Sequence, residues 1–404
     1  MLYMTINKLH NMNLILLTDN YHPIINSGSI IMGDLAKELE ARGNQVTVVT
    51  FSPDLTKSFD DDSLDSIRII RIRVPTRNYG MIGRLIAEIT YSSRIKKTLK
   101  QIEQLECDAV ICYSPSIFLG DAVKWIKEKF GVKAYLVLRD IFPKWVVDAG
   151  IIRKGLLYRF FKYIELKLYK NADLIGIESR SDISYFLQYV VKEKVEVLNN
   201  WGSPLDIRDI ESTMKTESIN KEKINILYGG NMGDAQDLLS LVKSIDTNIL
   251  SDKAIITLLG SGNQVKDIKD YISHRKIKNI QVLPEVDRKK YLEILLNADV
   301  GIVSLNRKLG SNNFPLKMMG YIQLSKPILA SVNPSNEIID LINKNNIGLV
   351  SLAGDSNAFN ENLSTIINNP DLRVNQGRKA LELFNKDFTV QSAANQILRS
   401  FSND

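Results

Sequence analysis

Residues 297–331 read NADVGIVSLNRKLGSNNFPLKMMGYIQLSKPILAS. Val300–Leu305 is apolar and β-branched, which predicts a strand. A polar loop with Gly310 follows. Phe314-Pro315 then opens an amphipathic helix, since proline suits the first helical turn, and Ile328–Ser331 begins another strand. Lys317 falls in the first turn of that helix. Free N–H groups and the positive end of the helix dipole favour an anion there, and a lysine adds charge for a phosphate. The same pattern also suits an ordinary βα unit with a solvated lysine.

Working outward, the pattern repeats. Asn13–Asp19 is an apolar strand, a loop with Gly28 follows, and Ile30–Arg42 places Ile31, Leu35, Ala36 and Leu39 on one stripe. Gly43 stops that helix, and Gln45–Phe51 is the next strand, which makes a βαβ unit and implies a parallel sheet. Alternation continues through strands at Ala109–Cys112, Lys133–Leu138, Leu174–Ile177 and Val195–Leu198. It restarts at Ile224 after a polar, charged stretch. The organisation predicted is an N-terminal Rossmann-like domain over 1–203, a linker over 204–222, a second Rossmann-like domain over 223–387, and a C-terminal helix in 388–404 crossing back to the first. Such a doubly wound α/β pair faces its ligand across a central cleft, with loops at the carboxyl ends of the strands.

The chain has 404 residues, 44% apolar and 24% charged, a balance suited to globular domains. No apolar run reaches the length that spans a bilayer, and the start lacks a signal-peptide core, so a cytoplasmic location is expected. Cys107 and Cys112 flank a strand, which argues against a disulfide or metal site. Net charge is +6. Residues 1–200 hold 28 Lys and Arg against 23 Asp and Glu, and that excess sits in IIRKGLLYRFFKYIELKLYK, residues 151–170. Arg153, Lys154, Arg159, Lys162 and Lys167 interleave there with Leu, Phe and Tyr. A helix of this kind suits an anionic membrane surface better than nucleic acid. A half-buried surface helix is the plainer alternative.

Four loops between strand and helix carry candidate chemistry: the one with His22 and Gly28, the one with Gly230, Asn231 and Gln236, Gly260-Ser261-Gly262, and the Pro315–Lys317 turn. Glycine lets backbone approach a phosphate closely. None is a dinucleotide fingerprint or a P-loop. Arg139 and Asp140 follow a strand. Asp140 suits sugar hydroxyls or a proton transfer, and equally a helix cap. Asn199-Asn200-Trp201 also follows a strand, and its amides and ring suit carbohydrate or a structural hinge. Asp60-Asp61-Asp62 reads as a solvated loop. Only three histidines occur, and no GxSxG motif is present, against hydrolase chemistry.

Together these segments resemble retaining glycosyltransferase family 4, of the GT-B fold. HPIINSGSIIMGDLAKELEARGNQVTVVT, YGGNMGDAQDL, LLGSGN, VLPEVDRKKYLEILLNADVGIV and FPLKMMGYIQLSKPILAS follow that family in order. LRDIFPKWVVDAG and LNNW are most similar to a bacterial surface-polysaccharide subgroup that includes N-acetyl-L-fucosamine transferases of O-antigen and capsule assembly. The resemblance implies a UDP-sugar held mainly by the second domain, through Gly230, Asn231, Gln236, Gly262, Leu283, Pro284, Pro315, Met318 and Gly320, with Gly28 of the first domain capping the donor. It implies Lys317, with Asp140 and Arg139, as catalytic residues, and an acceptor against His22, Tyr113, Asn200 and Trp201. It further implies transfer with retention to a polyprenyl-diphosphate-linked glycan, without metal or other cofactor, at the inner face of the plasma membrane. Five positions depart from the family. Gly320 and Asn312 stand where relatives carry glutamates, the former for the ribose hydroxyls, and Leu316 replaces a serine. Asn231 and Gln236 replace cations of the diphosphate site. These departures keep a non-catalytic glycosyltransferase-like subunit open, and a nucleotide-sugar 2-epimerase shares the same architecture.

Overall fold

The computed structural model describes residues 11–24, 26–74, 80–148, 152–202, 205, 222–308, 315, 317–334 and 336–402. The chain divides into two units. One comprises Met1–Ser203 and Val390–Asp404, the other Pro204–Thr389. The expected linker lies almost wholly outside the described residues, as do Gly310, Asn312, Phe314 and Leu316.

Unit 1 begins β1 (Asn13–Leu17), α1 (Ser27–Ala41), β2 (Gln45–Ser52), β3 (Phe59–Leu64), β4 (Ile67–Arg73), α2 (Gly80–Ile89) and α3 (Tyr91–Leu99). It continues β5 (Ala109–Ser114), α4 (Gly120–Phe130), β6 (Lys133–Leu138), α5 (Lys144–Asp148), α6 (Leu156–Asn171), β7 (Leu174–Ile177), α7 (Ile183–Phe186) and β8 (Val195–Val197). The sheet order is β3-β4-β2-β1-β5-β6-β7-β8. All described pairings are parallel except β3 with β4. Strands buried on both faces read as continuous apolar runs, as in Leu14–Leu17. The α1 stripe of Ile31, Leu35, Ala36 and Leu39 packs on Leu14, Leu16, Val46 and Val48. Each large side chain buried there contributes about 1.5–3 kcal/mol.

Two sequence expectations change here. Asp60–Asp62 are not loop: they lie in β3, an antiparallel edge strand on β4. Asp61 takes two hydrogen bonds from Arg68, at 2.9 and 2.6 Å. Charge on an edge strand discourages pairing with another chain. α1 starts earlier than the apolar stripe suggests, because Asn26 and Ser29 form a reciprocal cap, each side chain 2.9 Å from the other's backbone nitrogen. Gly28 is therefore in the helix's first turn rather than in a loop.

Unit 2 runs β9 (Ile224–Gly229), α8 (Leu238–Ser244), α9 (Thr247–Leu250), β10 (Ala254–Leu259), α10 (Val265–His274), β11 (Ile280–Leu283), α11 (Arg288–Leu296) and β12 (Val300–Ser304). Then come α12 (Lys317–Gln323), β13 (Ile328–Val332), α13 (Glu337–Asn345), β14 (Gly348–Leu352), α14 (Ser356–Asn368) and α15 (Pro370–Asp387). Its sheet order is β11-β10-β9-β12-β13-β14, with every described pairing parallel. The last helix, α16 (Val390–Arg399), returns to unit 1. Its Val390, Ala393, Ala394 and Ile397 complete the α1 core, and Gln396 donates to the Val197 carbonyl at 2.9 Å. Among the described residues, no helix is long and apolar enough to cross a membrane.

Candidate active site

In unit 2, three strands end on one edge and their glycine loops touch. The Gly230 nitrogen donates to Leu259 O at 2.8 Å, Met232 to Ser261 O at 2.7 Å, and Gly260 to Leu283 O at 3.1 Å. Gly230 and Gly260 have φ of +129° and +144°, and a Cβ on Gly260 would land on the Gly230 carbonyl. Only glycine permits this stacking of two loops. It brings Gly230, Gly262 and the Leu283-Pro284 edge into one rim, with Pro284 exposed.

Lys317 is the first residue of α12 and lies over this rim. Its Nζ sits 3.7 Å from the Tyr228 ring centroid. A Cβ on Gly230 would be 3.5 Å from the same Nζ. Burial brings the lysine down to about 7. No carboxylate pairs with it among the described residues. An ammonium held over a ring face, against bare backbone, is poised for an incoming anion. Asn231 and Gln236 pair with each other at 3.0 Å.

The rim rests on tyrosines that sequence reasoning missed. The Gly229 nitrogen donates to the Tyr321 hydroxyl at 3.1 Å, and the Tyr291 ring abuts Gly229, occupying the space a Cβ there would need. The available signal was Tyr228 itself, an aromatic immediately before a Gly-Gly turn at a strand's end. Met318 is corrected: its side chain is fully buried in the core, and its N–H is taken by Pro315 O at 2.9 Å, so neither its side chain nor its N–H is free for a ligand. A Cβ on Gly320 would come 3.0 Å from Leu295 Cδ2, so a side chain there would start into the domain interior.

In unit 1, the candidate residues gather at the carboxyl ends of β5 to β8. Arg139 donates to Leu198 O at 2.8 Å and Asn199 O at 3.3 Å, and its guanidinium lies 5.3 Å from the Trp201 ring centroid. It braces two strand ends. Asn200 and Trp201 are corrected as direct saccharide contacts, because both side chains are buried, at 5% and 2% exposure. Tyr113 is buried too, with its ring against Gly28: a Cβ on Gly28 would be 3.0 Å from Tyr113 Cε1. His22 packs edge-on to Tyr21 and abuts Gly33. Asp140 reaches solvent from this cluster, with its carboxyl raised by desolvation. Glu178, which the sequence reading passed over, follows β7 and accepts from the Asn200 amide. A carboxylate directly after a parallel strand was its signal, as for Asp140.

The basic helix α6 needs one correction. Lys162 faces inward: its Nζ pairs with Glu165 at 2.6 Å, and lies 3.8 Å from the Tyr189 ring centroid. Amphipathic spacing put it on the buried side. Lys167 pairs with Asp121 at 2.8 Å. Arg153, Lys154 and Arg159 remain exposed beside Leu156, Leu157, Phe160 and Tyr163, which are 86, 50, 45 and 64% exposed. No group of three or more His, Cys, Asp or Glu is placed to hold a metal among the described residues.

Comparison with known proteins adds to this geometry. Residues 29–201 match the family model described as Glycosyltransferase Family 4, and residues 209–383 match Glycosyl transferases group 1. The chain is 23% identical over 234 residues to a probable glycosyltransferase, WbjE, of Pseudomonas aeruginosa, covering 55% of this chain and 57% of that protein, little more than half its length. It is 20% identical over 319 residues to a putative colanic acid biosynthesis glycosyl transferase, WcaI, of Escherichia coli K12, covering 74% of this chain and 78% of that one. In fold it is similar to sucrose-phosphate synthase from Thermosynechococcus elongatus, with a TM-score of 0.70 at 15% identity over 97% of this chain and 98% of the other.

Proposed function

We propose that the chain, which matches two glycosyltransferase family models and has a GT-B-type fold, is a glycosyltransferase that moves a sugar from a UDP-sugar to a polyprenyl-diphosphate-linked glycan. The observation that carries the donor reading is Lys317, half-buried over Tyr228 beside the Gly230–Gly260 rim and without a carboxylate partner among the described residues. A sugar-nucleotide diphosphate supplies the missing charge. As the glycosidic bond breaks, negative charge grows on the leaving diphosphate. A fixed ammonium and backbone N–H groups stabilise that charge more in the transition state than in the ground state. The residues named need no metal for this role. The sugar is an N-acetylated deoxy-hexosamine such as N-acetyl-L-fucosamine, transferred with retention during O-antigen or capsule synthesis. That assignment rests on the LRDIFPKWVVDAG and LNNW segments and on likeness to a putative colanic acid biosynthesis glycosyl transferase.

The acceptor belongs to unit 1, where Asp140 reaches solvent. A lipid-linked acceptor requires the enzyme at a membrane surface. The α6 face supplies it: four exposed apolar side chains fringed by Arg153, Lys154, Arg159 and Lys170 combine apolar insertion with attraction to anionic headgroups. Exposed Ile86 and Ile89 of α2 enlarge the apolar surface of the same unit. The peripheral site is the inner leaflet of the plasma membrane.

A screen of UDP and UDP-sugars by thermal shift, with and without chelator, tests the reading. Ligand that binds only the folded state raises the melting temperature. Stabilisation by UDP and one UDP-sugar, unchanged by chelator, is expected. Gly320, which offers no carboxylate to a ribose, favours a second reading, a non-catalytic subunit. Absence of any nucleotide effect would select it.

A further inference from the structure

The β6–β8 end of unit 1 holds more unsatisfied polarity than its bracing role needs. Arg139 Nε, Asn200 Oδ1 and Trp201 Nε1 are all buried without a hydrogen-bond partner among the described residues. They belong to one cluster, since Arg139 stacks on Trp201 and Asn200 donates to Glu178. Buried polar groups in native proteins find partners, so an orphan cluster points to a polar guest or a role in positioning. Glu178 is the half-buried member through which this cluster meets solvent, with Asp140 exposed beside it.

We propose that Glu178 is a positioning residue of the acceptor side, which through Asn200 and Arg139 fixes the strand-end rim that presents Asp140 to a saccharide hydroxyl. This rests on the glycosyltransferase reading and deepens it. A saccharide hydroxyl can donate to a carboxylate, and the exposed Asp140 is the carboxylate this rim offers to it. Neither Asn200 nor Arg139 touches the sugar in this arrangement. Their hydrogen bonds set where the rim stands.

The groups facing Glu178 are Arg139 and Asp140 from the end of β6, Asp182 from the turn after β7, Tyr113 from β5 and Asn200 from β8. Burial pushes its carboxyl up to about 7, against the pull of Arg139 and with the push of Asp140 and Asp182. Its charge is therefore present above pH 7 and lost below. When it is lost, the Arg139 guanidinium loses its facing carboxylate charge and the tie to Asn200 weakens.

Trp201 reports this change. In a Trp125→Phe, Trp145→Phe background it is the single remaining tryptophan of the three. Its emission, followed from acid to alkaline pH through neutrality, is expected to titrate with a midpoint near 7. Glu178→Gln should abolish the titration. Glu178→Asp should restore one, which separates charge from mere folding. N-acetyl-D-glucosamine at tens of millimolar serves as the hydroxyl-bearing probe. Its binding should weaken about tenfold in Glu178→Gln, as for loss of a charged hydrogen bond, and lose its pH dependence. The proposal is overturned if Glu178→Gln titrates like the parent, or if the saccharide gives no response. UDP stabilisation keeps the two levels apart. If UDP fails to stabilise the parent, the glycosyltransferase reading falls. If UDP binds while the Trp201 tests fail, only the role of Glu178 falls.

Discussion

Removing the charge of Lys317 probes the donor site without knowing the sugar. In the free protein the lysine sits at about 7 instead of 10.5, because burial disfavours its ammonium. At about 1.4 kcal/mol per pKa unit, carrying that charge costs at most about 5 kcal/mol. The folded value lies below the unfolded one. The cost is therefore fully present below pH 7, and stability rises with pH as the unfolded chain alone stays protonated between 7 and 10.5. A bound diphosphate reverses the balance, since an opposite charge favours the ammonium. At pH 8 about nine-tenths of free protein carries neutral Lys317, so binding of UDP should take up about 0.9 proton; at pH 6 the uptake should fall to about 0.1. Titration calorimetry of UDP in buffers of different ionisation heat measures that number directly. Lys317→Met should abolish the uptake at pH 8, weaken UDP binding, and raise the free protein's melting temperature at pH 6 more than at pH 10. An uptake near zero at pH 8, or one that survives in Lys317→Met, would refute the placement of the diphosphate at this lysine.

Other outcomes follow from single contacts. Gly260→Ala places a Cβ on the Gly230 carbonyl at φ +144°. It should lower stability by about 3 kcal/mol or more in denaturant titration and remove the response to UDP. Lys162→Met leaves the buried Glu165 carboxylate with only the Tyr169 and Tyr185 hydroxyls as described partners and no facing charge, and should cost about 3 kcal/mol by the same assay. Changing Arg153, Lys154 and Arg159 to Glu should instead leave stability within about 0.5 kcal/mol while releasing the protein from anionic liposomes in flotation; unchanged flotation would remove α6 from the membrane reading. Gly320→Glu should gain no affinity for UDP-sugar and lose about 1–3 kcal/mol of stability, because its Cβ heads for Leu295.

The parallel architecture was legible because its strands are written as apolar runs and its helices as stripes. Asn13–Leu17, Lys133–Leu138 and Ala254–Leu259 show this plainly. β3 was hidden because an edge strand needs no apolar face, and FDDDSL reads as loop until Arg68 and Arg71 are seen across the ladder. The start of α1 was hidden because its Asn26–Ser29 cap lies outside the apolar stripe. At the donor rim the glycines and Lys317 were visible, since backbone approach and charge each have a residue signature. Tyr321 under Gly229 was not, because that contact joins residues 92 positions apart. Lys162 shows the limit of reading charge as exposure. Its stem points inward, and only the three-dimensional positions of Glu165, Tyr185 and Tyr189 reveal why.

The return of α16 to unit 1 has a consequence for how the protein is made. Leu35 and Leu39 face a core that also needs Ala394 and Ile397, more than 350 residues later in the chain. Unit 2 is a continuous stretch, with its last described strand complete at Leu352, before Val390 is reached. A ribosome therefore delivers everything unit 2 requires while unit 1 still lacks one wall. The α1 face, with Arg42 awaiting Asn395 and Glu38 awaiting Gln391, stays bare until Val390–Arg399 emerges. The first half to be translated is the last to be sealed, and a chain arrested before Val390 would expose an apolar surface of the kind chaperones bind.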